Sequence, residues 1–250
     1  MSDSRVALVT GSSRGIGAAT ALRLAGYGYR VCINYRADEA AATTVLEQVE
    51  QAGAKGMLVR ADVGNEAEVI RLFRAIDDQF GQLTALVNNA GILMQQTTIE
   101  GLESERVASI LKTNVTGTIL CCREAVKRMA ARHGGNGGAI VNVSSVAART
   151  GSPGEYIDYA ASKGAVDSIT RGLAREVAAE RVRVNAVRPG FINTGMHADG
   201  GEPDRVQRLA PSIPLGRGGE AAEIAELIAW LLSDAASYVT GSIIDAAGGR

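Results

Sequence analysis

Val6-Ala7-Leu8-Val9-Thr10-Gly11-Ser12-Ser13-Arg14-Gly15-Ile16-Gly17 is the stretch that decides how this chain folds. It opens with a short apolar run of strand length and then turns on three glycines. A helical pattern follows from Ile16 to Gly26. Glycines let a backbone turn sharply and let a bulky anion approach it, while a helix start offers unpaired N–H groups and the positive end of its dipole. The spacing is G-x-x-x-G-x-G, not G-x-G-x-x-G, so the glycines alone are a weak signal. Their position between a strand and a helix makes the turn a cradle for a nucleotide pyrophosphate, built from Gly11, Ser13, Arg14, Gly15, Ile16 and Gly17.

The same alternation continues outward from this unit. Strands are predicted at Val6–Thr10, Arg30–Asn34, Gly56–Arg60, Ala85–Asn88, Ala139–Ser144, Val182–Val187 and Ser242–Asp245. Most are continuous apolar runs, the pattern of strands covered on both faces. Helices are predicted at Ile16–Gly26, Asp38–Gln51, Glu103–Lys112, Gly117–Arg132, Tyr159–Ala178 and Ala221–Leu232. Another is predicted around Val69, Leu72, Phe73, Ile76 and Phe80, with Asn65 and Glu68 as a capping box and Gly81 as its stop. Repeated strand–helix–strand units predict an α/β fold: one doubly wound, Rossmann-type parallel sheet of about seven strands with helices on both faces. No linker or internal repeat divides residues 1–250, so a single domain is expected. The least regular stretch, 191–219, holds Pro203, Pro211 and Pro214 and is expected to be a surface connection that covers a substrate.

Composition excludes several classes. Net charge is −1, from 26 basic and 27 acidic residues, which provides no field to recruit nucleic acid or an anionic membrane. No window reaches the roughly 18 uninterrupted apolar residues of a membrane span, and Met1–Arg5 carries no secretory pattern. A cytoplasmic location is expected. Cys32, Cys121 and Cys122 have neither disulfide-framework nor metal spacing and read as small buried hydrophobes. No metal site is predicted.

Further motifs follow the glycine turn in order: Asn88-Asn89-Ala90-Gly91, Asn114, Ser145, Tyr159-Ala160-Ala161-Ser162-Lys163, Pro189-Gly190 and Tyr238-Val239-Thr240-Gly241. With Thr10–Gly17 reading T-G-x-x-x-G-I-G, the sequence resembles the short-chain dehydrogenase/reductase superfamily over nearly its whole length. It is most similar to bacterial members near the glucose dehydrogenases and the beta-ketoacyl-acyl-carrier-protein reductases. The resemblance implies an oxidoreductase that interconverts a carbonyl and an alcohol on a small molecule, using a nicotinamide dinucleotide. It also implies a homotetramer built through Gly117–Arg132 and Tyr159–Ala178. Gly164, Ala165 and Gly172 allow close helix approach, either between subunits or within the chain.

The second strand ends Ile33-Asn34-Tyr35-Arg36, without the acidic residue that would accept both ribose hydroxyls and repel a 2′-phosphate. Arg14 and Arg36 suit such a phosphate by charge and by their fork of donors, so NADP(H) is the preferred cofactor, with NAD(H) possible. The alternative is that both are solvated arginines, with Asp38 or Glu39 pairing Arg36. The resemblance implies further cofactor contacts from Asp62 and Val63 to adenine, and from Asn89, Ala90 and Gly91 near the adenine ribose. Pro189, Gly190, Ile192 and Thr194 are implied around the nicotinamide.

Tyr159 and Lys163, four residues apart, share one face of a helix. A phenol ionises near 10, and an ammonium about 5 Å away favours phenolate by roughly 3 kcal/mol at an effective dielectric near 20, about two pK units. By resemblance, Ser145 hydrogen-bonds the substrate oxygen and Tyr159 transfers the proton. Lys163 grips the nicotinamide ribose, and Asn114 holds a relay water. Ser144 and Ser145 are expected to point to opposite strand faces, with one reaching the site. The Ser145-to-Tyr159 gap is one residue longer than the family's usual one, an insertion within Arg149–Asp158. Tyr156 has Ala160 where a lysine partner would stand and reads as packing or substrate contact. Ala247-Gly248-Gly249 also departs from the family, where an aspartate usually precedes the paired glycines; here Asp245 lies two residues earlier. His133 reads as exposed and His197 as a lid residue. A non-catalytic dinucleotide-binding regulatory or scaffold protein is the other reading, and the intact Asn114–Ser145–Tyr159–Lys163 set counts against it.

Overall fold

The computed structural model describes residues 5–250; the reading of Met1–Ser4 lies outside them. Seven strands form one sheet in the order β3-β2-β1-β4-β5-β6-β7. They are β1 (Val6–Val9), β2 (Arg30–Tyr35), β3 (Gly56–Arg60), β4 (Ala85–Asn88), β5 (Gly138–Val143), β6 (Val182–Pro189) and β7 (Ile243–Ala246). Every neighbouring pair is parallel. The predicted α/β class and all seven strands are present, with ends shifted by a residue or two.

Alternate strand residues feed two apolar layers, as a period of two requires. On one face Leu8, Cys32, Val59, Leu86, Ile140 and Val184 join residues of α3 (Glu66–Phe80), α5 (Gly117–Met129) and α7 (Ile157–Val177). On the other, Val9, Val31, Val87, Val141 and Val187 join α1 (Gly15–Gly26), α2 (Glu39–Gln51) and α10 (Ala221–Leu232). All three cysteines are buried. The remaining helices are α4 (Ser104–Leu111), α6 (Ala147–Thr150), α8 (Met196–Asp199) and α9 (Arg205–Leu209). Residues 191–219, expected to be irregular, thus carry α8, α9 and a 3-10 turn at Ala210–Ser212.

Local signals explain most boundaries. Asn65 caps α3, its Oδ1 accepting from the amides of Ala67 (3.0 Å) and Glu68 (3.4 Å). The expected capping box is only half made, because the Glu68 carboxylate accepts from the amide of Asp62 instead (2.8 Å). A complete box sits at α10, between Glu220 and Glu223. Gly81 ends α3 at φ +82°, a left-handed conformation that costs glycine little.

The sheet order reverses between β1 and β4, and a crevice opens beyond the carboxyl ends of strands at such a switch point. Every singled-out site segment except Asn114 and the Tyr159–Lys163 helix directly follows a strand. Gly11 follows β1, Arg36 follows β2, Asp62 follows β3, Asn89 follows β4, Ser145 follows β5 and Gly190 follows β6.

Candidate active site

The glycine turn is a cradle that side chains would fill. Gly11 and Gly15 adopt φ +61° and +58°, and a Cβ on Gly11 would lie 2.9 Å from the Cα of Ala90. Asn89 ties the turn down: its Nδ2 donates to the carbonyls of Thr10 and Gly11, both at 2.9 Å. Arg14, at the N-cap of α1, supplies no side-chain acceptor, so the first-turn amides stay available for an anion. Thus the backbone itself fits a pyrophosphate. Gly17→Ala is expected to disturb this fit, because its Cβ would sit 2.5 Å from Asn89 Nδ2 and 2.6 Å from the Gly11 carbonyl oxygen. The expected result is at least about tenfold weaker dinucleotide binding in a protein destabilised by about 1–3 kcal/mol. Fluorescence titration and thermal melting check it; unchanged binding contradicts the cradle.

This turn opens into a cavity of about 420 Å³ bounded also by Arg36, Asp38, Asp62, Val63, Asn89, Ala90, Gly91 and Thr194. Asp62 accepts from the amide of Gly64 (2.9 Å), which fixes the turn after β3. Asp38 is occupied at the start of α2, accepting from Ala41 (3.0 Å), and does not pair with Arg36. Arg14 pairs with Asp199 of α8, within the 191–219 segment.

A second cavity of about 330 Å³ adjoins the first, sharing Ile16, Asn89, Thr194 and Met196. It is lined by Ser145, Tyr159, Lys163, Pro189, Gly190 and Ile192, so the residues expected around nicotinamide and substrate do converge. Tyr159 and Lys163 lie on α7, with the ammonium nitrogen 5.5 Å from the ring centroid. Lys163 is buried and donates to the carbonyl of Val143 (2.7 Å). Burial lowers its pKa to about 8, the Asp167 carboxylate opposing.

The expected lowering of the phenol is reversed. Burial pushes Tyr159 up to about 12, with only the Ser145 hydroxyl pulling the other way. Desolvation of the phenolate dominates this balance.

Neither serine lies within the strand proper, because β5 ends at Val143. Ser144 turns its hydroxyl onto the carbonyl of Lys163 (3.2 Å), whereas Ser145 faces Tyr159 and accepts from the amide of Ala147 (3.1 Å). The longer Ser145-to-Tyr159 connection is absorbed by α6 and a turn with Gly151, Ser152 and Gly154 all at positive φ.

Asn114 stands outside both cavities. It lies in a π-helical turn, Lys112–Thr116, and its amide makes three bonds within the protein. Oδ1 accepts from the Ile92 amide (2.8 Å), and Nδ2 donates to the Ile92 carbonyl (3.1 Å) and to Ser162 Oγ (3.0 Å). Its side chain therefore positions the β4 loop against α7. π-turns often mark functional sites.

Two supporting ion pairs escaped the sequence reading. Asp158, buried at the start of α7, accepts from Arg106 (2.6 Å) and from the amide of Tyr159 (2.9 Å), fixing the tyrosine's backbone. Arg188 of β6 pairs with Asp167 (2.6 Å) one turn beyond Lys163. His197 contacts the carbonyl of Ile192 (3.0 Å), and burial holds its pKa down. Tyr156 donates to the carbonyl of Gly200 (3.1 Å) and lines the second cavity. His133 is exposed. Asp245 pairs with Arg188 (3.3 Å) and Arg149 (3.4 Å). No group of three metal-ligating side chains occurs among the described residues.

A parallel doubly wound sheet, a glycine cradle at its switch point and a tyrosine–lysine helix beside a second cavity define a dinucleotide-dependent dehydrogenase or reductase. The chain belongs to the short-chain dehydrogenase/reductase superfamily: a family model described as Enoyl-(Acyl carrier protein) reductase matches residues 11–250. It is 62% identical to the Uncharacterized oxidoreductase YgfF of Escherichia coli, over 98% of this chain and 99% of that protein. It is 38% identical to the 3-oxoacyl-[acyl-carrier-protein] reductase FabG of Staphylococcus aureus, over 100% of this chain and 99% of that one. A crystal structure of a short-chain type dehydrogenase/reductase from Mycobacterium marinum superposes with a TM-score of 0.91 at 34% identity, covering 98% of this chain and 94% of the other. The family's cofactor is a nicotinamide dinucleotide.

Proposed function

We propose that the chain is an NADP(H)-dependent oxidoreductase that interconverts a carbonyl and an alcohol on a small molecule. One observation carries this reading. Tyr159 lines the second cavity together with Ser145 and the buried Lys163. A scaffold that only bound dinucleotide would have no use for that phenol.

Ser145 donates its hydroxyl hydrogen to the substrate oxygen and orients the carbonyl. Tyr159 gives its proton to that oxygen as negative charge develops there. The bound nicotinamide supplies the hydride in this direction or accepts it in reverse. Lys163, anchored on Val143, holds the ribose and steadies the phenolate that remains. Asn114 and Asp158 keep α7 and the β4 loop in register with one another. Phe191, Ile192, Met196, His197 and Arg205, from the 191–219 segment, cover the substrate.

The choice of NADP(H) rests on Arg36, whose acidic neighbour Asp38 is engaged elsewhere, and on Arg14. The Arg14–Asp199 pair is exposed at both ends and contributes about 0–1 kcal/mol, so a 2′-phosphate displaces it readily. Replacing both arginines by alanine is expected to weaken NADPH by about 10–100-fold and NADH far less. Comparative titration checks this, and equal losses for the two cofactors contradict it. The same enzyme is a homotetramer in this reading. A Cβ at Gly164 or Gly172 would meet nothing within 4 Å, which supports an outward face on α7 free for a second subunit. Light scattering that returns a monomer removes that part.

The reading as a whole is tested by following NADPH oxidation across aldehydes, ketones, ketoacyl thioesters and sugar lactones. Turnover of at least one class, faster with NADPH than with NADH, supports it. Tight NADPH binding with no turnover of any class favours the scaffold.

A further inference from the structure

One wall of the second cavity takes no part in the acid–base machinery. Phe191 stands there with two guanidinium groups against its ring, Arg205 at 5.4 Å and Arg250 at 4.5 Å from the centroid. The two cations differ in their partners. Arg205 is buried, and Glu155 and Glu202 answer its charge. Arg250 is exposed, and among the described residues its guanidinium has no ion pair or hydrogen bond. Its backbone is nonetheless held, since its carbonyl accepts from Arg149 (2.7 Å) and its amide donates to Ala247 (3.4 Å). An aromatic face cushions the cation without consuming its N–H donors, and Arg250 lines the cavity.

The charge balance of the lining points the same way. Of the two guanidinium groups lining this cavity, Arg205 is answered by Glu155 and Glu202, whereas Arg250 has no acidic partner among the described residues. An unpaired guanidinium at the wall of a cleft attracts an anion. Size narrows the choice further: the volume is about 330 Å³, and the residues shared with the first cavity show that the dinucleotide takes part of it. What remains suits a compact molecule.

We infer that Arg250 is a specificity-determining residue, and that the site takes a compact carbonyl substrate bearing a carboxylate. The carbonyl oxygen lies at Ser145 and Tyr159, and the carboxylate takes the fork of Arg250 in a paired hydrogen bond. This rests on the oxidoreductase reading above and adds the substrate class to it.

The test compares pyruvate, acetoacetate and levulinate, each beside its primary amide, as substrates for NADPH oxidation. The parent protein, Arg250→Gln, Arg250→Lys and Tyr159→Phe are run in parallel. The parent is expected to favour at least one acid over its amide, and Arg250→Gln to lower kcat/KM for that acid by about 10–100-fold, the loss typical of a charge-assisted hydrogen bond. The amide keeps its rate in Arg250→Gln, NADPH affinity is unchanged, and Arg250→Lys recovers part of the acid's rate. A parent that uses amides as well as acids, or an Arg250→Gln variant that loses both equally, overturns the carboxylate assignment. In that case amide reduction that vanishes in Tyr159→Phe still upholds the oxidoreductase. Bound NADPH with no turnover of any acid or amide counts against the carboxylate assignment, while turnover of other carbonyl classes then preserves the broader reading.

Discussion

Tyr159→Phe is expected to lower kcat/KM for carbonyl reduction by about 10²–10⁴-fold, the usual contribution of a positioned general acid. The substitution removes one oxygen and leaves the ring. The backbone contact from Tyr159 to Asp158 does not involve the phenol, and neither does the Ser162 hydroxyl's donation to the Tyr159 carbonyl. The fold and the cradle therefore persist, and dinucleotide affinity should change by no more than about twofold. Removing a hydroxyl that interacts with Ser145 alone among the side chains costs little stability. Stopped-flow or steady-state assay, with NADPH titration as the control, checks the split. A variant that keeps its rate contradicts the assignment of the acid.

Lys163→Met should lose activity and gain stability. Folded Lys163 titrates at about 8, below the roughly 10.4 of an unfolded lysine, because burial penalises its charged form. At neutral pH both states are protonated, and the native protein carries a penalty of about 3 kcal/mol. Methionine fills a similar volume without that charge, and the lost bond to Val143 returns about 1 kcal/mol of the gain. A net 1–2 kcal/mol corresponds to a Tm higher by about 2–6 °C at pH 7.

The pH dependence has a definite sign. Above about pH 8 native Lys163 gives up its proton while an unfolded lysine keeps it until about 10.4, so the parent gains stability with rising pH across that window. The advantage of Lys163→Met accordingly shrinks there. Activity moves the other way. The parent's reductive kcat/KM should fall as pH rises through about 8, and Lys163→Met, already about 100-fold slower, should lack that limb. A variant melting below the parent at pH 7 contradicts the burial penalty.

The sheet was legible because its strands are apolar on both faces, and such runs as Val6–Val9 and Ala85–Asn88 read the same in any parallel sheet. Tyr159, Lys163 and the glycine turn were legible because their chemistry depends on spacing along one element. What escaped depends on contacts between distant elements. Arg106 and Asp158 meet across 52 residues, and nothing local marks either as the anchor of α7. The π-turn around Asn114 joins what reads as two separate helices, since a single inserted residue leaves little trace in hydrophobic spacing. Tyr159 reversed its expected direction because spacing reveals the nearby ammonium but not the depth of burial. The pairing of Arg14 with Asp199, and of Arg250 with Phe191, needed the fold of 191–219.

The most direct test of the central claim uses NADPH deuterated at its transferable nicotinamide position, incubated with a carbonyl compound that the parent protein reduces. Mass spectrometry of the alcohol product reads the outcome. Hydride transfer with Tyr159 as the acid predicts one deuterium on the new carbinol carbon with the parent protein, and loss of that product in Tyr159→Phe although NADPH still binds. Product without deuterium, or labelled product formed equally well by Tyr159→Phe, would contradict it.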